Sequence, residues 1–227
     1  MRRFAISDIH GCLRTFESLL ECLSLEKEDQ LFLLGDYIDR GPDSKGVIDC
    51  IIALRERGQQ VFCLRGNHEQ MLLNAIANPR HLPVFLSNGG VESLLSFGTT
   101  NPRDIPEPYL RFINDLPLYL EIPDYVLVHA GLNFNLQDPL QGENEMIWIR
   151  NWYSSIQYEW LGPRLIVHGH TPIGKSAITA MARQLPLRRV LNIDAGCVYS
   201  YDTSMGALCA FDLDTGKLFF QDNIEVA

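Results

Sequence analysis

The sequence predicts an α/β fold with parallel strands that closes on an antiparallel hairpin. Three observations carry this. Short apolar runs of strand length recur along the chain, and each ends abruptly in a polar residue. Amphipathic helical patterns separate the first of these runs. Near the end, two apolar runs flank Asp214-Thr215-Gly216, a turn sequence.

The elements follow in order. Phe4-Ala5-Ile6 reads as a buried strand leading to Asp8 and His10. Leu13, Phe16, Leu20 and Leu23 are spaced along one face of a helix. Leu31-Phe32-Leu33-Leu34 is the next strand and leads to Asp36. Pro42-Asp43-Ser44 is a helix start, and Val47, Ile48, Ile51, Ile52 and Leu54 form the apolar face behind it. Val61-Phe62-Cys63-Leu64 leads to Asn67 and His68. The middle, from about 68 to 115, reads as helical, with Asn88-Gly89-Gly90 as a turn inside it. Tyr125-Val126-Leu127-Val128 leads to His129. The stretch from 133 to 163 holds Trp148, Trp152, Tyr153, Tyr158 and Trp160, and reads as a loop or short helices over a site. Leu165-Ile166-Val167 leads to His168 and His170, and Val190-Leu191-Asn192-Ile193 leads to Asp194. Between them, Lys175, Arg183, Arg188 and Arg189 read as a solvated loop. The runs 207 to 213 and 217 to 221 form the hairpin, which implies a second, more antiparallel sheet.

Length and composition bound the rest. A chain of 227 residues is expected to form a single domain, 1–227. Its 46% apolar content is that of a globular protein. No apolar run reaches the roughly 18–20 residues of a membrane span. The N-terminal sequence meets Asp8 before a signal-peptide core can form, so a cytoplasmic location is expected. With 28 acidic and 19 basic residues the net charge is −9, which argues against nucleic acid as a partner. The six cysteines form no C-x-x-C pair and read as reduced, mostly buried thiols.

Strand–helix alternation implies right-handed crossovers, which bring the C-terminal ends of parallel strands to one sheet edge. Asp8, His10, Asp36, Asn67, His129 and His170 therefore converge. Hard oxygen donors mixed with imidazoles suit manganese, iron or zinc. Two metals sharing a carboxylate could hold both oxygens of an in-line phosphoryl transfer. Any one of these residues has a structural explanation. Six of them, each just after a strand, do not.

Ser7-Asp8-Ile9-His10-Gly11, Gly35-Asp36-Tyr37-Ile38-Asp39-Arg40-Gly41 and Gly66-Asn67-His68-Glu69 resemble the signature set of the phosphoprotein phosphatase family. His129-Ala130-Gly131 and Gly169-His170-Thr171-Pro172 resemble its later metal motifs, and Ile147-Trp148-Ile149-Arg150 a segment of its compact bacterial and phage members. The resemblance implies a four-layer α-β-β-α sandwich and hydrolysis of phosphomonoesters, foremost on phosphoserine and phosphothreonine in proteins. It implies two divalent metals, manganese first, with iron or zinc as substitutes. Asp8, His10 and Asp36 would hold one metal. Asp36, Asn67, His129 and His170 would hold the other. A bridging water would attack phosphorus directly as hydroxide. His68 would protonate the leaving oxygen, Asp39 would support that imidazole, and Arg40, Arg150 and Asn67 would bind the phosphoryl group. Phosphoproteins or phosphopeptides are the expected partners, with nucleotides second.

Departures sharpen the reading. Ser7 stands where glycine is usual, and Ile193-Asp194-Ala195-Gly196-Cys197 replaces the loop of the eukaryotic enzymes. His168 reads as a strand residue, His81 as a surface one. The symmetrical dinucleoside tetraphosphatases are the main alternative. They typically show Ala-Arg-Gly and Gly-Asn-His-Asp where this chain has Asp39-Arg40-Gly41 and Gly66-Asn67-His68-Glu69. A phosphate-binding scaffold without catalysis is the alternative of another class. It would be expected to lack a ligand or the acid.

Overall fold

The computed structural model describes residues 1–225. Strand β1 (Arg3–Ile6) pairs in parallel with β2 (Gln30–Leu33), and β2 with β3 (Gln60–Cys63). Helices α1 (Leu13–Leu23) and α2 (Ser44–Glu56) make the crossovers. Side chains alternate along these strands. Phe4, Ile6, Leu31 and Leu33 pack outward against Phe16 and Leu19 of α1 and Val47, Ile48 and Ile51 of α2. Ala5 and Phe32 face the other way.

The next stretch is helical as expected: α3 (Asn67–Ala77), α4 (Leu82–Phe85), α5 (Val91–Ser96) and α6 (Glu107–Asn114). The second sheet runs β4 (Tyr119–Ile122), β5 (Tyr125–Val128), β6 (Leu165–His168) and β7 (Val190–Asn192), in that spatial order. Pairings β5–β6 and β6–β7 are parallel, whereas β4 is antiparallel to β5. Tyr125, Leu127, Val167 and Leu191 pack against Ala5 and Phe32 of the first sheet. Val126, Val128, Ile166 and Val190 face outward onto Phe134, Met146 and Trp152. Short helices α7 (Glu143–Trp148) and α8 (Tyr158–Leu161) lie in that outer segment. The layering is therefore α-β-β-α.

Two expectations change. The C-terminal hairpin, β8 (Ala207–Asp212) and β9 (Leu218–Asp222), does not build a sheet of its own. Strand β8 pairs antiparallel with β1, so the first sheet reads β3-β2-β1-β8-β9 and both sheets are mixed. All six residues of β8 are buried, because Leu208 and Ala210 face the helices of the first layer while Ala207, Cys209 and Phe211 face the second sheet. Second, the segment read as a solvated loop is the 14-residue helix α9 (Lys175–Arg188). Only Ile178 and Leu185 of it are buried, so its apolar stripe is too thin to announce a helix. Among the described residues, no helix is long and apolar enough to cross a membrane. The six cysteines are free: Cys12, Cys63, Cys197 and Cys209 are buried and Cys22 is exposed.

Candidate active site

The loops after β1, β2, β3, β5 and β6 meet at one edge of the sandwich. Asp8 and His10 follow β1, Asp36 follows β2, Asn67 and His68 open α3, and His129 and His170 follow β5 and β6. Every one of these side chains is buried. Asp8, His10, Asp36, Asp39, Arg40 and His170 share a further property: their φ angles are positive, between 49° and 72°. Each such residue costs about 1–3 kcal/mol, which the surrounding hydrogen bonds must overcome.

Glu69 supplies much of that restraint. Its buried carboxylate accepts from the backbone N of Gly66 (2.8 Å), Asp36 (2.9 Å) and Tyr37 (2.8 Å). It thereby locks the loop after β2 onto the start of α3. Asp36 Oδ1 returns the tie by accepting from His68 N at 3.0 Å. The approach is so close that a Cβ on Gly66 would collide with Asp36 Oδ1. Glu69 was visible as part of a motif, but its role emerges only from these contacts.

Among the described residues, two groups of donor atoms could each hold a metal ion, and Asp36 belongs to both. One is His10, Asp36 and His68; the other is Asp36, His129 and His170. His129 Nε2 lies 3.4 Å from Asp36 Oδ2 and 3.0 Å from Asn67 Oδ1. His170 Nδ1 lies 2.8 Å from the same Asn67 oxygen, and its Nε2 is buried with no hydrogen-bond partner. The second group thus gathers Asp36, Asn67, His129 and His170 as expected. The first differs, because His68 stands where Asp8 was anticipated. Asp8 is turned aside: its two oxygens accept from His170 N at 3.1 and 3.0 Å, and one also accepts from the Ser7 hydroxyl.

The electrostatics suit a cation. Burial pushes the Asp36 carboxyl up, but the imidazoles of His129, His68 and His10 outweigh it and hold it well below the usual range. Burial opposes charge on His129, yet Asp36 lifts it to about 10. A metal ion binding here would displace that proton. Burial and then Asp194 push Asp8 well up, while burial and then His129 push His170 down to about 3. The Nδ1 atoms of His10 and His129 sit 2.9 Å from the carbonyls of Ile38 and Leu34. Donation there aims each Nε2 inward, with its lone pair free on His10 and freed on His129 once a cation displaces the proton. Arg40 Nη1 meets that lone pair on His10 at 3.0 Å, a positive group where the donor set calls for one.

His68 Nδ1 lies 2.7 Å from Asp39 Oδ2, and both side chains are fully buried. His68 Nε2 faces the donor cluster, 4.0 Å from Asp36 Oδ2. Burial, with Arg40 and His129, takes His68 down to about 4 against the pull of Asp36. Burial pushes Asp39 well up. Arg40 and Arg150 are exposed at the rim, and Arg150 donates to Thr171 Oγ1 at 2.8 Å. Of the tryptophans, only Trp148 reaches the site, 6.3 Å from the His170 ring. Trp152 is buried, stacks on Phe134 and donates to the Ala130 carbonyl, while Trp160 packs edge-on against Phe134. His168 is a strand residue, held between Tyr153 Oη at 2.8 Å and the Gly169 carbonyl at 2.9 Å. His81 is exposed.

A family model described as calcineurin-like phosphoesterase matches residues 1–200. The chain belongs to that family. This phosphoesterase is 30% identical to serine/threonine-protein phosphatase 1 of Salmonella typhimurium over 86% of its own length and 87% of the relative's. It is 27% identical to an asymmetrical bis(5'-nucleosyl)-tetraphosphatase, PrpE, of a Geobacillus strain, over 91% and 88% of the two chains. Among solved structures, a crystal structure provisionally described as a diadenosine tetraphosphatase superposes with a TM-score of 0.68 at 25% identity, covering 96% of this chain and 92% of that one. The four-layer fold is therefore shared by phosphoesterases with two kinds of substrate in their names.

Proposed function

We propose that this phosphoesterase is a dinuclear metal-dependent protein phosphatase that hydrolyses phosphoserine and phosphothreonine. The observation that carries the reading is the buried 2.7 Å pair of His68 and Asp39 beside the donor cluster centred on Asp36. His10 and Asp36 would hold one cation, joined by Asp8 on turning its carboxylate from His170 N toward them, and Asp36, Asn67, His129 and His170 the other, with manganese the first choice for this mix of oxygen and nitrogen. Bound divalent cations lower the pKa of water to supply a nucleophile and neutralise charge on the phosphoryl group. The protein does the rest. Arg40 and Arg150 at the rim, with Asn67 within, orient the phosphoryl oxygens, a task matched to the planar guanidinium. His68 presents Nε2 to the reacting centre and donates a proton to the leaving oxygen. Asp39 accepts from Nδ1, which fixes the ring and supports its charge while Nε2 carries that proton.

Asp39 also bears on the substrate. The symmetrical tetraphosphatases typically carry alanine at this position, and alanine cannot hold the histidine. The chain follows the protein phosphatases here. Hydrolysis of dinucleoside polyphosphates is the second reading, favoured by the names of the Geobacillus relative and the structural neighbour. A non-catalytic scaffold does not need the acid pair. The direct test is hydrolysis of p-nitrophenyl phosphate and a phosphothreonine peptide by the manganese-loaded protein. Turnover of both, abolished by chelator and restored by metal, is expected. No turnover across phosphoesters under metal loading would overturn the reading.

A further inference from the structure

The acid pair has a third member that no motif marks. Asp39 is fully buried, and its Oδ2 is engaged with His68 Nδ1. Its other oxygen, Oδ1, accepts from Ser93 Oγ at 2.6 Å. Ser93 lies on α5, 54 residues away in the chain, and is itself fully buried. Its hydroxyl is used to capacity. It donates to Asp39 Oδ1, while the backbone N of Asp39 donates to it at 2.8 Å and Ser44 Oγ lies 2.9 Å away. Ser44 Oγ also lies 3.0 Å from Asp39 N. The two serines thus grip Asp39 by both its carboxylate and its backbone, through the oxygen that His68 does not use.

That grip has work to do. Asp39 sits at φ 71° and Arg40 at 72°, in a loop that would relax if released. The same end of α5 restrains the next residue, since Arg40 N donates to the Gly89 carbonyl at 3.1 Å. With Oδ1 fixed by a short charge-assisted bond, the carboxylate cannot rotate, and Oδ2 stays aimed at the imidazole. Burial alone would push a proton onto Asp39, and the Ser93 hydroxyl acts in the opposite direction.

We propose that Ser93 is a positioning residue for proton donation: through Asp39 it holds His68 in line with the leaving oxygen. This rests on the acid role of His68 proposed above. If it holds, loss of Ser93 should matter most where the leaving group most needs a proton. The experiment compares Ser93→Ala with wild type, both manganese-loaded and matched by melting curve. The substrates are p-nitrophenyl phosphate, phenyl phosphate and a phosphoserine peptide, in order of worsening leaving group. The expected result is a kcat loss of about tenfold or more on the peptide, a smaller loss on phenyl phosphate and the least on p-nitrophenyl phosphate, with KM little changed. Ser93→Thr, which keeps the hydroxyl, should recover much of the peptide rate. Ser93→Cys, of similar size, carries the same criterion if the alanine variant does not fold. Equal losses on all three substrates, or none, would overturn the proposal. His68→Asn in the same series separates the two claims. If it shows no leaving-group dependence, the acid reading fails. If it does and the Ser93 variants do not, only the role of Ser93 fails.

Discussion

Asp29 precedes β2 and is buried there, accepting from Arg2 N at 2.6 Å, Arg2 Nε at 3.0 Å and Glu26 N at 3.0 Å. Burial pushes its carboxyl up, but the Arg2 side chain and the backbone N–H groups outweigh that and hold it at about 2. A carboxyl lowered in the folded state stabilises fully above its unfolded pKa of about 3.9, and that contribution is lost as pH falls toward the folded value. Asp29→Asn should therefore lower Tm at neutral pH, and the gap to wild type should close between about pH 4 and pH 2. A gap that does not change with pH would contradict this. The same scale marks the limit of the sequence. Asp8, His10, Asp36, Asn67, His129 and His170 were legible because each ends an apolar run. The left-handed backbones of Asp8, His10, Asp36 and His170 are not, since no residue type requires that conformation. Ser93 was not legible either. One serine on an amphipathic helix carries no signal until the fold sets it against Asp39.

At the scale of elements, the start of α5 matters more than its length. Gly89 has φ 102°, and a Cβ there would lie 2.6 Å from Arg40 N. Gly89→Ala should cost about 1–3 kcal/mol in strain and displace Arg40. Its kinetic mark should be a raised KM for phosphoesters, read against a melting curve. An unchanged KM and Tm would show that Arg40 is not held from α5. The turn Asn88-Gly89-Gly90 was visible in the sequence, but not what it touches. Elements with strong periodicity are legible in the sequence, among them α1, α2, β2 and β5. Strand β4, an edge strand with no fully buried residue, and α9, with two buried side chains, are illegible for one reason. Neither contributes enough core to leave a pattern. Trp152 and Trp160 do not cover the site but build the outer apolar layer, because aromatic content alone does not say which way a ring faces.

For the whole molecule, the donor cluster straddles the sandwich. Asp8, His10, Asp36 and Asn67 come from loops of the first sheet, His129 and His170 from the second. Cations held there would cross-link the sheets and relieve the crowding of buried charge. Ligand that binds only the folded state raises Tm with concentration. Manganese should therefore raise Tm in the wild type and chelator should reverse it. Asp36→Asn, which removes the shared carboxylate, should abolish the shift. An equal shift in both proteins would place the metal elsewhere. The net charge of −9 also looks different at this scale. Part of the acidic count is committed to the site, where cations and two arginines would present a positive face to a phosphoryl group.

The proposed role of His68 and Asp39 in serving a poor leaving group implies a preference for phosphoproteins. It is tested most directly by kcat/KM of the manganese-loaded protein on a phosphothreonine peptide and on diadenosine tetraphosphate, measured side by side. Higher efficiency on the peptide is expected, with the advantage reduced in Asp39→Ala. Higher efficiency of the wild type on the dinucleotide would contradict it.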